Sequence, residues 1–212
     1  MRCVCQGRFR GVPPDVPVPT LRQSQALATR RRLLDVATRL FCDEGFSAVT
    51  TTGLCAAAGV TRGALYHHFA NMTEVMEAVF SDIEGQLVDR VVARLSAVAP
   101  ARAQLTALGP AVLDSLAADD RTTRIVFVEA PSALGWSRWR SLDGGRSLTL
   151  IADILRRCAD DGHLRPGIDP ILAAQLLLGA INEAGMYIGA HQGNPTPIAH
   201  QLTLLAEGLL HQ

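Results

Sequence analysis

The sequence lacks lysine, and all 20 of its basic residues are arginine. Any contact with phosphate must therefore come from arginine, hydroxyl groups, histidine or backbone amides. Aromatic residues make up only 5% of the 212 residues, and no apolar run has the length of a membrane-spanning helix. Glycine and proline are too few for a disordered chain. With 48% hydrophobic residues, the sequence predicts a soluble globular protein of one large or two small domains.

Cysteine is also scarce, and its five copies form a scattered set without the spacing of a disulfide framework or a zinc site. Cys3 and Cys5 are one residue apart, but no second ligand pair follows at a usable distance. We therefore expect free thiols and neither a metal nor another cofactor. Residues 1–21 are rich in proline and have no apolar signal-peptide core, which predicts a disordered arm and a cytoplasmic protein.

Apolar residues at helical spacing predict an all-α fold that begins with three helices. The first runs from about residue 22 to Glu44, where Gly45 ends it. Two short helices follow, one over residues 51–58 and one from a cap at Thr61 to His68.

A fourth helix is expected to begin at a cap on Asn71 or Thr73 and to stop at Pro100. Its length of about 25 residues, or ~37 Å, suits a connecting rod. The rest of the chain also reads as helical, with no alternating segment long enough for a sheet. The expected pieces are residues 102–118 interrupted at Gly109-Pro110, residues 120–130 ending before Pro131, residues 136–161 with a kink at Gly144-Gly145, and helices that start at Asp169-Pro170 and Thr196-Pro197.

Residues 51–69 form a helix-turn-helix pattern. Ala57 and Ala58 allow the two short helices to approach closely, and Gly59 can take the left-handed conformation of the turn. The second helix would then present residues suited to DNA. Arginine reads a guanine edge or grips phosphate, alanine touches a thymine methyl group, and tyrosine or histidine donates to phosphate oxygens. The outward residues are Arg62, Gly63, Ala64, Tyr66 and His67.

The pattern extends to both sides of the turn. It comprises Arg31-x-x-Leu34-x-x-Ala37, Leu40-Phe41-x-x-x-Gly45-Phe46-x-x-x-Thr50-Thr51, Ala57-x-Gly59-Val60 and Gly63-x-Leu65-Tyr66-x-His68-Phe69. At these residues the sequence resembles the TetR family of transcriptional regulators, over about residues 29–79. The resemblance implies DNA contacts by a defined set of residues. Thr51 and Thr52 would meet the DNA backbone, Thr61, Arg62, Gly63, Ala64, Tyr66 and His67 would face the major groove, and His68 would lie near phosphate.

One position departs from the pattern of this family. Met72 stands where the family usually has a lysine that grips phosphate. Arginines of the N-terminal region are expected to supply the missing charge.

Charge is divided between the two parts of the chain, although it sums to zero. Residues 1–72 carry nine arginines against four acidic residues, a net charge of +5, whereas residues 73–212 have a net charge of −5. A basic part beside an acidic part is typical of a protein that binds DNA locally. We call residues 22–72 the head and residues 73–212 the body.

Two features of the head have alternative interpretations. His67 and His68 are adjacent on a helix and point about 100° apart, so they do not form a metal site. The run Arg30-Arg31-Arg32 usually indicates a solvated face, although here it could also touch backbone phosphate.

The body contains polar and aromatic residues that stand out from an apolar background. Asn182 and Glu183 interrupt the apolar run 171–188, so they either hydrogen-bond within the fold, pair across a dimer interface or face a ligand cavity. The resemblance implies a helical body with an effector cavity. The candidate effector-binding residues are Glu129, Trp136, Trp139, Asn182, Glu183 and Met186.

The last two helices carry the signal for self-association. Small residues between Gly179 and Gly189 allow a facing helix to approach, and residues 198–210 are rich in leucine. The resemblance implies that these helices dimerise, and a two-fold dimer predicts a palindromic operator with half-sites ~34–36 Å apart or somewhat more.

Taken together, the residues predict a homodimeric regulator, most simply a repressor that a largely apolar small molecule releases from DNA. One alternative is a helical ligand carrier or an enzyme, but there is no nucleophile elbow, catalytic carboxylate pair or phosphate loop. The other alternative is an adaptor that keeps the head fold and binds a protein instead of DNA.

Overall fold

The computed structural model describes residues 20–191 and 194–211, and within them the fold is all-α, as predicted. No β-strand occurs in these ranges, where one isolated bridge joins Leu164 to Leu210. The helices are α1 (Leu21–Glu44), α2 (Thr51–Ala58), α3 (Arg62–His68), α4 (Met72–Ser96), α5 (Ala101–Ala117), α6 (Asp120–Thr123), α7 (Ala130–Leu134), α8 (Trp136–Asp143), α9 (Arg146–Asp160), α10 (Pro170–His191) and α11 (Thr196–Gly208).

Helix α1 begins and ends where the sequence predicted. Thr20 and Gln23 form a capping box at its start. Gly45, with φ of +83°, ends it. The predicted arm, residues 1–21, lies outside the described residues except for Thr20 and Leu21.

Helices α2 and α3 have the predicted bounds because side-chain caps define both starts. The Thr50 hydroxyl accepts a hydrogen bond from the Gly53 amide, and the Thr61 hydroxyl accepts one from the Ala64 amide. Gly59 makes the turn between the helices in the left-handed conformation, with φ of +63° and ψ of +37°.

Helix α4 connects the head to the body. Asn71 caps its start by accepting the Glu74 amide, as predicted, and the helix ends at Ser96, four residues before Pro100. Its buried residues extend from Val75 near the start to Leu95 near the end. One helix therefore packs on α1 in the head and on α5 in the body.

The predicted interruption of α5 at Gly109-Pro110 is wrong, because α5 is continuous through both residues. Gly109 allows α5 and α11 to pack closely, since a Cβ atom at this position would lie 2.5 Å from Cβ of Leu202 on α11. Pro110 cannot donate to the Thr106 carbonyl one turn earlier. The Thr203 hydroxyl of α11 lies 3.3 Å from that oxygen and 3.1 Å from the Ala199 carbonyl of its own helix, so its one proton is shared between the two.

The prediction that a helix ends before Pro131 is also wrong. Residues 120–134 stay helical throughout, with a π-helical segment, Arg124–Glu129, between α6 and α7. Pro131 is near the start of α7 and cannot donate to the carbonyl groups of the preceding π-helical segment. The Trp139 indole donates to one of them, the Val126 carbonyl. Gly135, with φ of +74°, ends the helix instead.

The remaining breaks agree with the sequence to within a residue or two. Gly144 and Gly145 separate α8 from α9. The Asp169 side chain accepts the Ile171 and Leu172 amides at the start of α10. Thr196, expected to cap the last helix, is instead its first residue, and its amide donates to the Asn194 side chain.

By length and composition alone, α10 could cross a membrane, contrary to the prediction that no segment qualifies. One face of α10 packs in the core of the body. It packs along α9 and on the π-helical segment, where Gly185 lies against the Phe127 ring. Asn182, near its middle, hydrogen-bonds to Asp143 of α8.

We expect Gly109→Ala to destabilise the protein. The added methyl group would collide with Leu202 close to the α11 backbone, and overpacking of this kind typically costs about 1–3 kcal/mol. Thermal or urea unfolding measures the change. Gly208→Ala is the matched control, because nothing lies within 4 Å of the added atom, and it should be neutral. Equal stability of the two variants would contradict the close packing of α5 on α11.

Candidate DNA-binding surface and effector cavity

The residues predicted to contact DNA lie together on the outer face of α2 and α3. Leu65 is buried and fixes α3 on the core, so its neighbours point outward. Thr52, Thr61, Arg62, Gly63, Tyr66 and His67 are exposed, and Thr51, Ala64 and His68 are partly buried.

Tyr66 joins the two short helices of this face. Side-chain hydrogen bonds with Arg62 and Thr51 lower the pKa of its phenol below the usual value of 10. The hydroxyl group thus lies close to both Arg62 and Thr51 at the start of α2. An arginine that is already oriented loses less conformational freedom when it binds a guanine edge or a phosphate.

The two histidines at the end of α3 lie edge to face, with ring centroids 5.2 Å apart. Burial, followed by the nearby charges of His67 and Arg30, lowers the pKa of His68. At neutral pH His68 is therefore an uncharged N–H donor and adds no positive charge. Arg30 supplies the positive charge here, since its guanidinium group lies 5.1 Å from the centre of the Phe69 ring.

The start of α4 carries no cation in the place of the missing lysine. Met72 is half-buried and packs against the core. Glu74 accepts the Ala70 amide at 2.5 Å, so the first turn holds a carboxylate. Among the arginines of α1, Arg31 is paired with Asp35 and Asp82, whereas Arg30 lies beside the end of α3.

Glu129, predicted to bind the effector, connects the head to the body. It is 7% exposed, and its Oε2 accepts the backbone amide of Phe46 in the head at 2.8 Å. Its Oε1 lies 2.7 Å from Nη2 of Arg124. The π-helical segment thus holds the chain just after α1 through one buried carboxylate.

A cavity of about 570 Å³ lies at this junction of head and body. Arg121 and Arg124 line it with Asp120, and Leu113, Leu116 and Ile188 contribute apolar surface. Cys42 of α1 also lines the cavity. Burial raises the pKa of this thiol to about 11, so it stays protonated.

A second cavity lies in the core of the body and is much smaller, about 40 Å³. It combines apolar walls with a few convergent polar groups, which is the usual composition of a small-molecule site. The polar groups are those of Glu84, Asp143, Ser147 and Asn182. The apolar lining consists of Leu87, Val88, Val91, Leu108, Val112, Val126, Phe127, Leu150, Ile151, Leu178 and Ile181.

Hydrogen bonds connect these polar groups in two pairs. The Ser147 hydroxyl donates to Oε1 of Glu84 at 2.6 Å. The Asn182 amide donates to Oδ2 of Asp143 at 2.6 Å, and Arg140 lies 3.0 Å from the same oxygen. Burial raises the pKa of both Glu84 and Asp143.

Of the predicted effector-binding residues, Asn182 lines the core cavity. Trp139 is fully buried, and its indole donates to the Val126 carbonyl at 2.9 Å. Trp136 is 60% exposed, Glu183 is exposed, and Met186 is half-buried against the core.

Sequence reasoning missed Glu84, Asp143 and Ser147. For Glu84 a signal was present, since it occupies a position of α4 that the apolar spacing assigns to the core, between Phe80 and Leu87.

Large apolar side chains remain exposed on the outer faces of α10 and α11. Leu172, Leu176 and Tyr187 lie on α10, and Leu204 and Leu205 lie on α11. Leu176 is 77% exposed. A patch of this kind usually indicates an interface.

Comparison with known proteins gives matches to both parts of the chain. The family model described as "Bacterial regulatory proteins, tetR family" matches residues 33–79. The model described as "Tetracyclin repressor-like, C-terminal domain" matches residues 103–210, about half of the chain.

Individual proteins are similar over most of their length. The HTH-type transcriptional repressor KstR2 of Mycolicibacterium smegmatis is 28% identical over 160 residues, which cover 74% of each chain. The crystal structure of FadR from Bacillus subtilis in complex with stearoyl-CoA has a TM-score of 0.69 and 20% identity, over 85% of this chain and 99% of that one. FadR from Bacillus halodurans has a TM-score of 0.70 and 19% identity, over 84% and 94%. At these identities the two structures show the fold.

We expect Glu129→Ala to weaken the junction of head and body. The Phe46 amide would lose its acceptor, and an unsatisfied buried donor costs about 1–3 kcal/mol. Glu129→Gln keeps an acceptor for that amide and loses only the ion pair with the half-exposed Arg124, so it should cost less. Denaturant unfolding measures both, with the exposed Glu207→Ala as control. If Glu129→Ala is as stable as the control, the bond to Phe46 does not stabilise the junction.

Proposed function

The chain belongs to the TetR family of bacterial regulatory proteins, and from this premise we propose that it is a ligand-responsive repressor that binds a palindromic operator as a homodimer. This family consists of transcriptional regulators and not of enzymes. A protein with this role acts on DNA in the cytoplasm.

The outward face of α2 and α3 supports operator binding. Arg62, held by Tyr66 next to Thr51, is the residue that we assign to reading a base edge. The threonine hydroxyls and the backbone at the helix starts are suited to phosphate. Thr52, Thr61, Gly63, Ala64, His67 and His68 complete the proposed contact surface.

The apolar patch on α10 and α11 supports the homodimer. Burial of exposed leucine side chains against a second copy removes apolar surface from water, which is favourable by about 25 cal/mol per Å². A two-fold pairing through this patch presents two copies of α3 to DNA, and such a pair reads two half-sites ~34–36 Å apart or somewhat more.

Release by an effector is supported by the position of α4. Glu84, Leu87, Val88 and Val91 of α4 line the core cavity, while the start of the same helix follows α3 directly. The cavity has a volume of about 40 Å³, enough for one or two water-sized groups. Typical ligand sites are much larger, about 300–1,000 Å³. An effector must therefore move the walls, and movement of α4 changes the separation of the two heads in the dimer.

We expect Arg62→Ala to lower operator affinity at least tenfold, because it removes the arginine proposed to contact a base edge. Tyr66→Phe should have a smaller effect in the same direction, since it frees Arg62 from its orienting bond. Fluorescence anisotropy with DNA from upstream of the protein's own gene measures both. Arg156→Ala, on the exposed face of α9, is the matched control.

The same experiment can reject the proposed function. If the unmodified protein shows no preference for any sequence in that DNA or upstream of the neighbouring genes, the repressor role is wrong. If Arg62→Ala instead disrupts dimerisation or folding, then Arg62 has a structural role.

A separate prediction concerns the dimer. Leu176→Glu places a charge in the centre of the proposed interface and should convert the dimer into a monomer, because an unpaired buried charge is costly. Sedimentation velocity measures the change. Val92→Glu, which changes an exposed apolar residue of α4 in the same way, should leave the dimer intact. If both variants form dimers of equal strength, this face is not the dimer interface.

A further inference from the structure

We propose that the core cavity binds an apolar amine, a molecule with a hydrocarbon body and a protonated nitrogen that the cavity's acceptors hold. The inference rests on the proposed function only in taking this cavity as the effector site. It adds the chemical class of the ligand.

Acceptors dominate the polar lining of this cavity. Glu84, Asp143 and Asn182 are each at most 5% exposed, and all three contribute oxygen atoms. Both bonds to Asp143 fall on its Oδ2, and Asn182 uses only its amide nitrogen. Oδ1 of Asp143 and Oδ1 of Asn182 take no part in these bonds and can accept from a ligand. A ligand that supplies N–H groups would satisfy them.

Arginine and histidine are absent from the described lining. Arg140 contacts Asp143 from outside the cavity. Arg146 is exposed and paired with Asp89, and its charge only partly offsets the effect of burial on the pKa of Glu84. A carboxylate or phosphate placed in this cavity would lie beside two buried acidic groups without a cation of its own, which is strongly unfavourable.

Electrostatics favour a cation in the same place. Burial is the largest influence on both carboxyl groups, and it raises the pKa of each because the interior solvates a carboxylate poorly. For Glu84 the nearby charge of Asp143 raises it further. A protonated amine between the two groups would offset both effects.

The apolar walls account for the rest of the ligand. Residues from α4, α5, α9, α10 and the π-helical segment enclose the polar groups with leucine, valine, isoleucine and phenylalanine side chains. A hydrocarbon body buried among them gains the usual free energy of apolar transfer. The junction cavity differs in this respect, because Arg121 and Arg124 line it.

A matched series of three small molecules tests the ligand class directly. Cyclohexylmethylamine, cyclohexylmethanol and cyclohexanecarboxylate share one ring and differ in charge. Isothermal titration calorimetry on the full chain at neutral pH, without DNA, should give the amine at least a tenfold higher affinity than the carboxylate, with the alcohol between them.

Two variants then place the amine in this cavity. Glu84→Gln still accepts the Ser147 hydroxyl but loses its charge, so amine affinity should fall at least tenfold while alcohol affinity changes less than twofold. Asp143→Asn should also lower the amine affinity, and it replaces Glu84→Gln in this test if that variant does not fold. Glu207→Gln makes the same chemical change on the exposed face of α11 and should have no effect.

Several results would overturn the inference. These are a carboxylate that binds as tightly as the amine, no saturable amine binding, or amine binding that neither Glu84→Gln nor Asp143→Asn alters. Because no DNA is present, these results are independent of operator binding. A protein that binds the amine as expected but no operator would reject the repressor role and leave the ligand class standing.

Discussion

Helix α4 is one continuous helix that lies in the core of both head and body, and this shared packing constrains the rest of the molecule. Val75 and Phe80, toward its start, and Val91 and Leu95, toward its end, are almost completely buried. Close-packed interiors transmit displacement because they have few voids to absorb it. The residue Glu84, which lines the core cavity, and the start of α4, which directly follows α3, therefore belong to one packed helix.

The π-helical segment Arg124–Glu129 provides a second connection between the same parts. Val126 and Phe127 face the core cavity, whereas Arg124 and Val128 face the junction cavity. Successive side chains of a helix point in different directions around its axis, so one short segment contributes to both cavities. Glu129, at its end, holds the Phe46 amide of the head. Both cavities thus contact the segment that joins body to head.

The buried acidic groups have different consequences in the two places. At the junction, Glu129 has an amide donor and an arginine, so its charge is compensated and its effect is to hold two parts together. In the core cavity, Asp143 likewise has an amide donor, Asn182, and an arginine, Arg140. Glu84 has the Ser147 hydroxyl and no ion pair within the described residues, so its compensation is incomplete. Incompletely compensated buried carboxyl groups are a common property of binding sites.

The sequence by itself determined the helices of the head and their caps, because a cap such as Thr61 or Asn71 bonds to an amide only three residues away. It also predicted which face of α2 and α3 is exposed, since one short helix carries most of the residues expected to contact DNA. Only the tertiary structure decided the roles of Gly109 and Glu129, whose partners Leu202 and Phe46 lie more than 80 residues away. The same holds for the core cavity, where helix faces distant in sequence meet. A periodic pattern predicts which face of a helix is buried, but the partner of that face depends on how all the helices pack together.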